Sequence, residues 1–415
     1  MYALISILIA LTALVVLLRF RVKIGVAMVL AACLLAGLLH VWPMDMWRTL
    51  VTEWHEKPLT RTTGYLFVSL ASLLLLVNVV GAAMEEIGLT RRLVPAMQGL
   101  FRSRRFALAM IPLMMGMLPT PGGIMLSAPM VREAGDRIGV ERSRQAAINF
   151  LFRHQWEPVW PLFPAVPLIQ SMLGISALTL FSYHIVLTGT GILVGMIVLL
   201  MFGIPPRRPE HEHAKRHVGH HVLDFLHAFW PIGFTAVLYV ILDIPPAVGI
   251  LLAIFGLLLF HRVPLKRWPR IFKAACEPDM ALLIFGALFF KLNIEAGGAI
   301  GSVVEFLTSI HVPPPLLAFM LPALVGFATG VTMPTVAMTY PFLIGFIGTG
   351  AEAKMGLEAL AFSGLLFSLW LTPVHLCITL SASYFETSLL RIIIKLVPPA
   401  VGVAIAGILL AIFFG

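Results

Sequence analysis

The stretch "MMGMLPTPGGIMLSAPM", residues 114–130, lies inside an apolar segment that runs from about residue 106 to residue 131. The segment is apolar enough to enter a membrane, yet Pro121, Gly122 and Gly123 stand at its centre. Proline lacks a backbone N–H and glycine loses much conformational entropy in a helix, so together they end one. The stretch therefore predicts two short helices joined by a turn, and not one uninterrupted span.

The composition of the chain places this turn in a membrane protein. The chain has 415 residues, of which 59% are hydrophobic and 12% charged, and its mean hydropathy is +0.96. Soluble proteins carry about 25% charged residues. The three cysteines form no CxxC pair and no metal-ligand spacing, so we expect neither a disulfide framework nor a metal site. These numbers predict an all-α polytopic membrane protein.

The apolar windows predict about ten transmembrane helices and two re-entrant hairpins. The first hairpin covers residues 106–131, and the second covers 314–346, where "ATGVTMP" (328–334) interrupts the apolar run. The predicted spans cover residues 1–19, 24–42, 62–84, 146–172, 178–203, 224–243, 246–262, 278–296, 357–386 and 396–414.

The basic residues favour hairpins over single crossings. With both hairpins returning to their own side, 23 of the 29 basic residues fall in inside loops and four in outside loops. The five arginines within 91–105 and the four within 132–144 flank the first hairpin. They share a side only if the segment between them turns back, as the positive-inside rule requires. This topology predicts a protein of the inner (cytoplasmic) membrane with both termini on its outer side.

The two halves of the sequence also match in order, which predicts an inverted repeat. Each half then holds five spans and one hairpin, an odd number of crossings, so the second half enters the membrane upside down. The matched pairs, separated by 209 to 215 positions, are Glu86 and Glu295, Gly116 and Gly326, Pro129 and Pro341, and Pro158 and Pro373.

We divide the chain accordingly. Residues 1–203 form the first repeat, whose broken helix is 146–172, and residues 223–415 form the second, whose broken helix is 357–386. Residues 204–222 form a cytoplasmic linker that contains "HEHAKRHVGHH" (211–221). Histidine-rich tracts bind transition metals in some proteins, but we interpret this one as a solvated linker.

The hairpin sequences "LPTPGGIMLSAPMV" and "GFATGVTMPTVAMTYP" resemble the ion transporter superfamily, which includes dicarboxylate, citrate and gluconate permeases. Within it, they are most similar to an uncharacterised family of prokaryotic integral membrane proteins. The resemblance implies a homodimer whose hairpins and broken helices move as an elevator. Many dicarboxylate and citrate members carry Ser-Asn-Thr at the tips, whereas this chain has Pro119–Gly123 and Thr329–Thr332.

The hairpin tips and helix breaks predict an anion site. The N-termini of half-helices carry partial positive charge and unpaired N–H groups, and their exposed carbonyls can hold Na⁺. Serine and threonine hydroxyls there either bind the ligand or bond back to their own helix. The predicted substrate-binding residues are Thr120, Pro121, Gly122, Gly123, Ser127, Asn149, Arg153, Thr329, Gly330, Thr332, Thr335 and Thr372.

Arg153 is the sharpest of these candidates, because nine residues of span put it roughly 13 Å deep at 1.5 Å per residue. It either clamps a substrate carboxylate or pairs with Glu157, four residues on. Glu157, before Pro158, and His375, after Pro373, are the predicted ion-coupling residues. Lys291, the other basic residue within a span, is expected to extend to the outer surface.

These features predict a secondary active transporter for a small organic anion, coupled to H⁺ or Na⁺, with no cofactor beyond Na⁺. The expected partners are the anion, the lipid bilayer and a second copy of the chain, with no nucleic acid. An inorganic oxyanion carrier is the alternative within this class. An intramembrane enzyme using His154, Glu157 and His375 is less favoured, because the sequence has no HExxH or GxSxG motif.

Overall fold

The computed structural model describes residues 2–89, 103–117, 124–202, 204, 218–274 and 278–415, and within them the chain is helical with no β-strand. The predicted all-α class is confirmed. The α-helices are α1 (Tyr2–Arg19), α2 (Ile24–Leu38), α3 (Pro43–Glu56), α4 (Thr63–Glu86), α5 (Arg104–Gly116), α6 (Ile124–Arg137), α7 (Arg142–Arg153), α8 (Ala165–Leu173), α9 (Ala177–Gly195), α10 (Val218–Leu242), α11 (Pro246–Phe260), α12 (Trp268–Ala274), α13 (Pro278–Ala296), α14 (Ala299–Ser309), α15 (Pro314–Thr329), α16 (Thr332–Ile347), α17 (Met355–Leu371), α18 (Leu376–Tyr384) and α19 (Leu389–Phe414).

Six stretches of the described residues are long and apolar enough to cross a membrane, and eight if each of two bent helix pairs counts as one span. The bent pairs are α2 with α3, at 103°, and α13 with α14, at 71°. The sequence predicts about ten spans, and that number stays a prediction. Helices such as α2 and α11 have only 15 residues, about 22 Å at 1.5 Å per residue, which is shorter than a bilayer core.

Part of the helix order recurs along the chain. In the first half, α4 precedes a helix pair (α5 and α6), which α7, α8 and α9 follow. In the second half, α13 and α14 precede the pair α15 and α16, which α17, α18 and α19 follow. The division into two inverted repeats and a linker stays a prediction. Helix α10 begins at Val218, inside the predicted linker, most of which lies outside the described residues.

Both predicted broken helices are interrupted in the structure. In the first, α7 ends at Arg153 and α8 begins at Ala165, with Pro158, Pro161 and Pro164 between them. In the second, α17 ends at Leu371 and α18 begins at Leu376, on either side of Pro373. A proline removes one helical hydrogen bond and clashes with the preceding turn, which favours a break. It does not force one, because α6 and α16 continue through Pro129 and Pro341.

The second hairpin consists of α15 and α16, which pack against each other across a turn at Gly330 and Val331. Gly330 has φ +67°, a left-handed conformation that side chains rarely adopt. A Cβ on Gly330 would lie 2.9 Å from the backbone nitrogen of His375. Glycine is therefore required at this turn both by the backbone conformation and by the close approach of the second helix break.

The first hairpin consists of α5 and α6, whose connecting residues 118–123 lie outside the described residues. The two helices pack against each other and against α7. At the end of α5, a Cβ on Gly116 would overlap the carbonyl oxygen of Arg153. This glycine therefore lets the first hairpin lie directly on the end of α7, as Gly326 lets the second hairpin lie on Ser368 of α17.

Candidate functional site

Arg153 is the last residue of α7, and its side chain is 6% exposed. Its Nη1 donates a hydrogen bond of 2.9 Å to the carbonyl of Met115, near the end of α5. The positive charge also stands at a helix C-terminus, where the helix dipole favours a cation. The structure thus places Arg153 where the first hairpin meets the first helix break. Its predicted depth in the membrane stays a prediction.

Glu157 makes no ion pair with Arg153 in the structure. Its Oε2 atom is buried and has no hydrogen-bond partner among the described residues. The predicted pairing assumed a helix that continues through both residues, since only then do positions four apart share a face. Helix α7 ends at Arg153, and Glu157 therefore lies in the turns that follow and does not share a helical face with it.

His154 and His375 meet where the two helix breaks come together. Their Nε2 atoms lie 3.2 Å apart although the residues are 221 positions apart in the chain. His154 directly follows α7 and His375 directly precedes α18. The ring of Phe150 packs against both imidazoles. The structure therefore brings the predicted coupling residue His375 beside His154, a contact that the sequence did not indicate.

The second hairpin tip joins this junction through its backbone. The Nδ1–H of His375 donates to the carbonyl of Gly330. The hydroxyls of Thr329 and Thr335 lie 3.0 Å apart, and Thr335 also donates to the carbonyl of Val331 at 2.8 Å. These two predicted binding residues thus hold their own turn together, which is the alternative that short hydroxyl side chains offer. Thr332 is the first residue of α16 and is also buried.

Three more predicted binding residues bond to neighbouring protein groups. Ser127 donates to Oδ1 of Asn149 at 2.6 Å, and the Asn149 amide donates to the carbonyl of Ile124 at 3.2 Å. Thr372 donates to the carbonyl of Phe327 at 2.6 Å. These bonds tie each hairpin to its broken helix. Four predicted binding residues lie outside the described residues, and their role stays a prediction: Thr120, Pro121, Gly122 and Gly123.

A buried network that the sequence analysis missed links α9, α16 and α17. His184 Nε2 lies 2.8 Å from Oε2 of Glu358, and the hydroxyl of Tyr340 donates to Oε1 of Glu358 at 2.8 Å. The Nδ1–H of His184 donates to the carbonyl of Pro158 in the first helix break, at 2.6 Å. All three side chains are fully buried. Glu358, the single acidic residue in the apolar sequence of α17, is the feature that could have indicated this network.

Lys291 also differs from its prediction. Its side chain is 4% exposed and does not extend to the surface. Its ammonium lies 2.9 Å from Oε2 of Glu295, 3.4 Å from Oε1 of Glu53 and 3.2 Å from the hydroxyl of Thr63. A buried charge requires such partners, because their absence would leave it without solvation. Lys291 therefore joins α13 to α3 and α4.

A cleft of about 570 Å³ lies at the start of α7, where it faces the loop between α18 and α19. Its lining includes Glu141, Ser143 and Arg391. The hydrogen bond from Ser143 and the ion pair with Lys395, 3.2 Å away, hold the pKa of the Glu141 carboxyl below its usual value. Charged and hydroxyl groups thus surround this opening.

Together these features define an all-helical polytopic membrane protein in which two broken helices and a helical hairpin meet around buried polar residues. The chain belongs to a family described as "Protein of unknown function (DUF401)", which matches residues 3–414. The ion transporter superfamily assignment stays a prediction.

The fold is similar to a solved structure titled "Crystal structure of the Alcanivorax borkumensis YdaH transporter reveals an unusual topology". The TM-score is 0.58, the sequence identity is 14%, and the similarity covers 88% of each chain. Comparison with curated proteins found no match. The chain therefore shares its all-helical fold with that protein.

Proposed function

We propose that the chain is a secondary active transporter that carries a small organic anion, a carboxylate, across the membrane. It does so by elevator-type alternating access, coupled to H⁺ or Na⁺. The fold it shares with the YdaH transporter supports the proposal, as do the two broken helices packed beside the hairpins. Interrupted helices at membrane depth are found where protein or a water-filled cavity covers the open backbone, and transporters place their substrates there.

The observation that carries the proposal is the buried guanidinium of Arg153. A charged side chain within a membrane-spanning segment is costly and is, by default, a candidate functional residue. Arginine binds a carboxylate through two parallel N–H···O bonds, and its charge persists when it is buried. Because Arg153 lies where the first hairpin contacts the first break, it is the anchor we assign to the anion.

Glu157 and His375 are the groups we assign to ion coupling. The buried Oε2 atom of Glu157 has no hydrogen-bond partner among the described residues, and a protonated carboxyl costs less free energy to bury than a carboxylate. This favours H⁺ as the coupled ion. Na⁺ is the alternative, since carbonyl groups at helix breaks are suitable ligands for it.

The transporter works as a homodimer in the inner membrane, with both termini outside, and it is not an enzyme. An inorganic oxyanion would use the same arginine and the same helix N-termini, because phosphate and carboxylate share their hydrogen-bonding geometry. The identity of the anion is therefore the first thing to measure.

The test is a thermal-shift screen of the full chain, purified in detergent. The ligands are mono-, di- and tricarboxylates, sugar acids and inorganic oxyanions, with and without Na⁺ at two pH values. A ligand that binds the folded state raises the melting temperature by mass action. We expect one carboxylate class to do so. Uptake of that anion into proteoliposomes then measures transport.

Substitution of Arg153 tests whether this residue binds the anion. Removing a charge-assisted hydrogen bond costs about 1.5–3 kcal/mol, so Arg153→Ala should weaken anion binding about 10- to 100-fold. Arg153→Lys should bind with intermediate affinity, because an ammonium cannot form the bidentate pair. The matched control is Arg270→Ala, which removes an exposed arginine of α12. Full anion binding by a folded Arg153→Ala protein would contradict the proposal, and stabilisation by inorganic oxyanions alone would support the alternative.

A further inference from the structure

Three metal-ligand side chains converge at the junction of the helix breaks. The candidate ligand atoms of His154, His375 and Cys377 all lie within 4.8 Å of one another. Cys377 is the second residue of α18, two positions after His375. The first ligand thus comes from one broken helix and the other two from the other, so only the folded chain assembles the set.

The hydrogen bonds of the two histidines determine where their protons lie. A carbonyl oxygen only accepts, so the contact of His154 Nδ1 with the carbonyl of Phe150, at 2.7 Å, requires a hydrogen on that nitrogen. The same holds for His375 Nδ1 at the carbonyl of Gly330. In the neutral rings, both Nε2 atoms therefore present lone pairs to each other at 3.2 Å. Two lone pairs at this distance repel unless a cation is bound between them.

This arrangement is the one that metal-binding histidines adopt. A ligating imidazole typically donates its other ring N–H to a backbone carbonyl or a carboxylate, which orients the ring. At Zn–N distances of about 2.0–2.1 Å, tetrahedral geometry separates two ligand nitrogens by about 3.3 Å. The observed separation of 3.2 Å needs almost no adjustment. The rings are thus already oriented for a shared cation.

The third ligand determines which cation fits. A thiolate selects thiophilic cations such as Zn²⁺ and Cu⁺ over Na⁺, Mg²⁺ or Ca²⁺, which prefer oxygen. The carboxylate of Glu157 does not belong to this group of ligand atoms, so the set offers two imidazole nitrogens and one sulfur.

We propose that His154, His375 and Cys377 form a binding site for a thiophilic d¹⁰ cation, with Zn²⁺ as the expected ion. The ion joins the first broken helix to the second, and through His375 it also joins the tip of the second hairpin. The inference goes beyond anion transport; in the metal-bound chain His375 is a ligand, so of the two groups assigned to ion coupling Glu157 alone takes up a proton. A carrier of another substrate would keep the site, and an anion carrier without the site would still carry its anion.

The experiment measures metal binding directly. The full chain is purified in detergent, stripped with a chelator, incubated with Zn²⁺ alone, desalted and analysed for bound metal. We expect about one Zn²⁺ per chain, lost in Cys377→Ser and His154→Gln and retained in the matched control Cys33→Ser. Cys33 lies exposed on α2. Co²⁺, bound in place of Zn²⁺, should show thiolate charge-transfer absorption that disappears in Cys377→Ser.

Cysteine alkylation of the unsubstituted chain covers the case in which a variant does not fold. Peptide-level mass spectrometry separates Cys377 from the other cysteines. With free Zn²⁺ at ten times its Kd, labelling of Cys377 should slow about tenfold, because only the metal-free fraction reacts, while Cys33 should label at an unchanged rate. Equal labelling of Cys377 with and without Zn²⁺ would overturn the proposal. Retention of the metal by a folded Cys377→Ser protein would also overturn it. So would the absence of retained metal in the unsubstituted chain, in which case a proton shared between the two histidines would explain their contact.

Discussion

Replacing Gly330 by alanine tests how closely the second hairpin tip fits against the second helix break. The new Cβ meets two obstacles. The backbone at Gly330 has φ +67°, and holding a non-glycine residue in the left-handed region costs about 1–2 kcal/mol. The Cβ would also lie 2.9 Å from the backbone nitrogen of His375, and relieving such overpacking costs about 1–3 kcal/mol. The expected loss of stability is the sum, about 2–5 kcal/mol.

Gly350→Ala is the matched control for this substitution. Gly350 has φ +61°, and nothing lies within 4 Å of its added Cβ. It should therefore lose only the backbone part, about 1–2 kcal/mol. The assay is unfolding of the purified proteins by SDS in mixed micelles, followed by tryptophan fluorescence. Equal losses for the two variants would refute the close contact between Gly330 and the break.

Three further predictions concern buried and surface charges; the first two are measured as changes in stability in the same assay, and the third is measured as a change in melting temperature. Glu358→Gln should be nearly neutral, because the amide can donate to the histidine and accept from the tyrosine, whereas Glu358→Ala should cost about 3–5 kcal/mol by leaving both partners buried and unsatisfied. A large loss in the glutamine variant would show that the pair is ionised. Lys291→Met should cost about 1.5–3 kcal/mol by removing buried charge-assisted hydrogen bonds to Glu295 and Glu53, for which Lys57 remains as a partly exposed counter-charge. Lys57→Met, whose side chain is 41% exposed, should cost about 0–1 kcal/mol. Similar losses would mean that the Lys291 network is solvated. Finally, the hydrogen bond from Ser143 and the neighbouring lysine lower the pKa of Glu141 below its usual 4.5. The resulting stabilisation is present above pH 4.5 and is lost as the pH falls through the folded-state pKa. The melting-temperature difference between the unsubstituted chain and Glu141→Gln should therefore shrink on acidification, and a constant difference would contradict the ion pair.

The breaks in the helices were predictable because their causes are local. Pro158 and Pro373 each interrupt a helix in the structure within the predicted broken spans. The second hairpin, predicted at 314–346, is observed as Pro314–Thr329 and Thr332–Ile347. A proline acts on its own turn, and an apolar run ends where its residues change. Both effects are written in consecutive residues and need no knowledge of distant neighbours.

Helical spacing alone was not sufficient to predict the partner of Arg153. Helical spacing places residues four apart on one face only while the helix continues. The same proline that predicts the break also removes the regular geometry on which the pairing depended. Side chains next to a break therefore cannot be placed from spacing, although these positions contribute most to the candidate site.

The sequence by itself determined the class of protein, its membrane character, its hairpins and its helix breaks, because composition and local backbone chemistry act over a few residues. Only the tertiary structure decided which polar groups meet. His154 contacts His375 across 221 positions, and His184 contacts Glu358 across 174. Lys291 lies beside carboxylates and not at the surface. In an apolar interior each buried polar group needs a partner, and that partner is selected by how helices pack, which no periodicity in the sequence encodes.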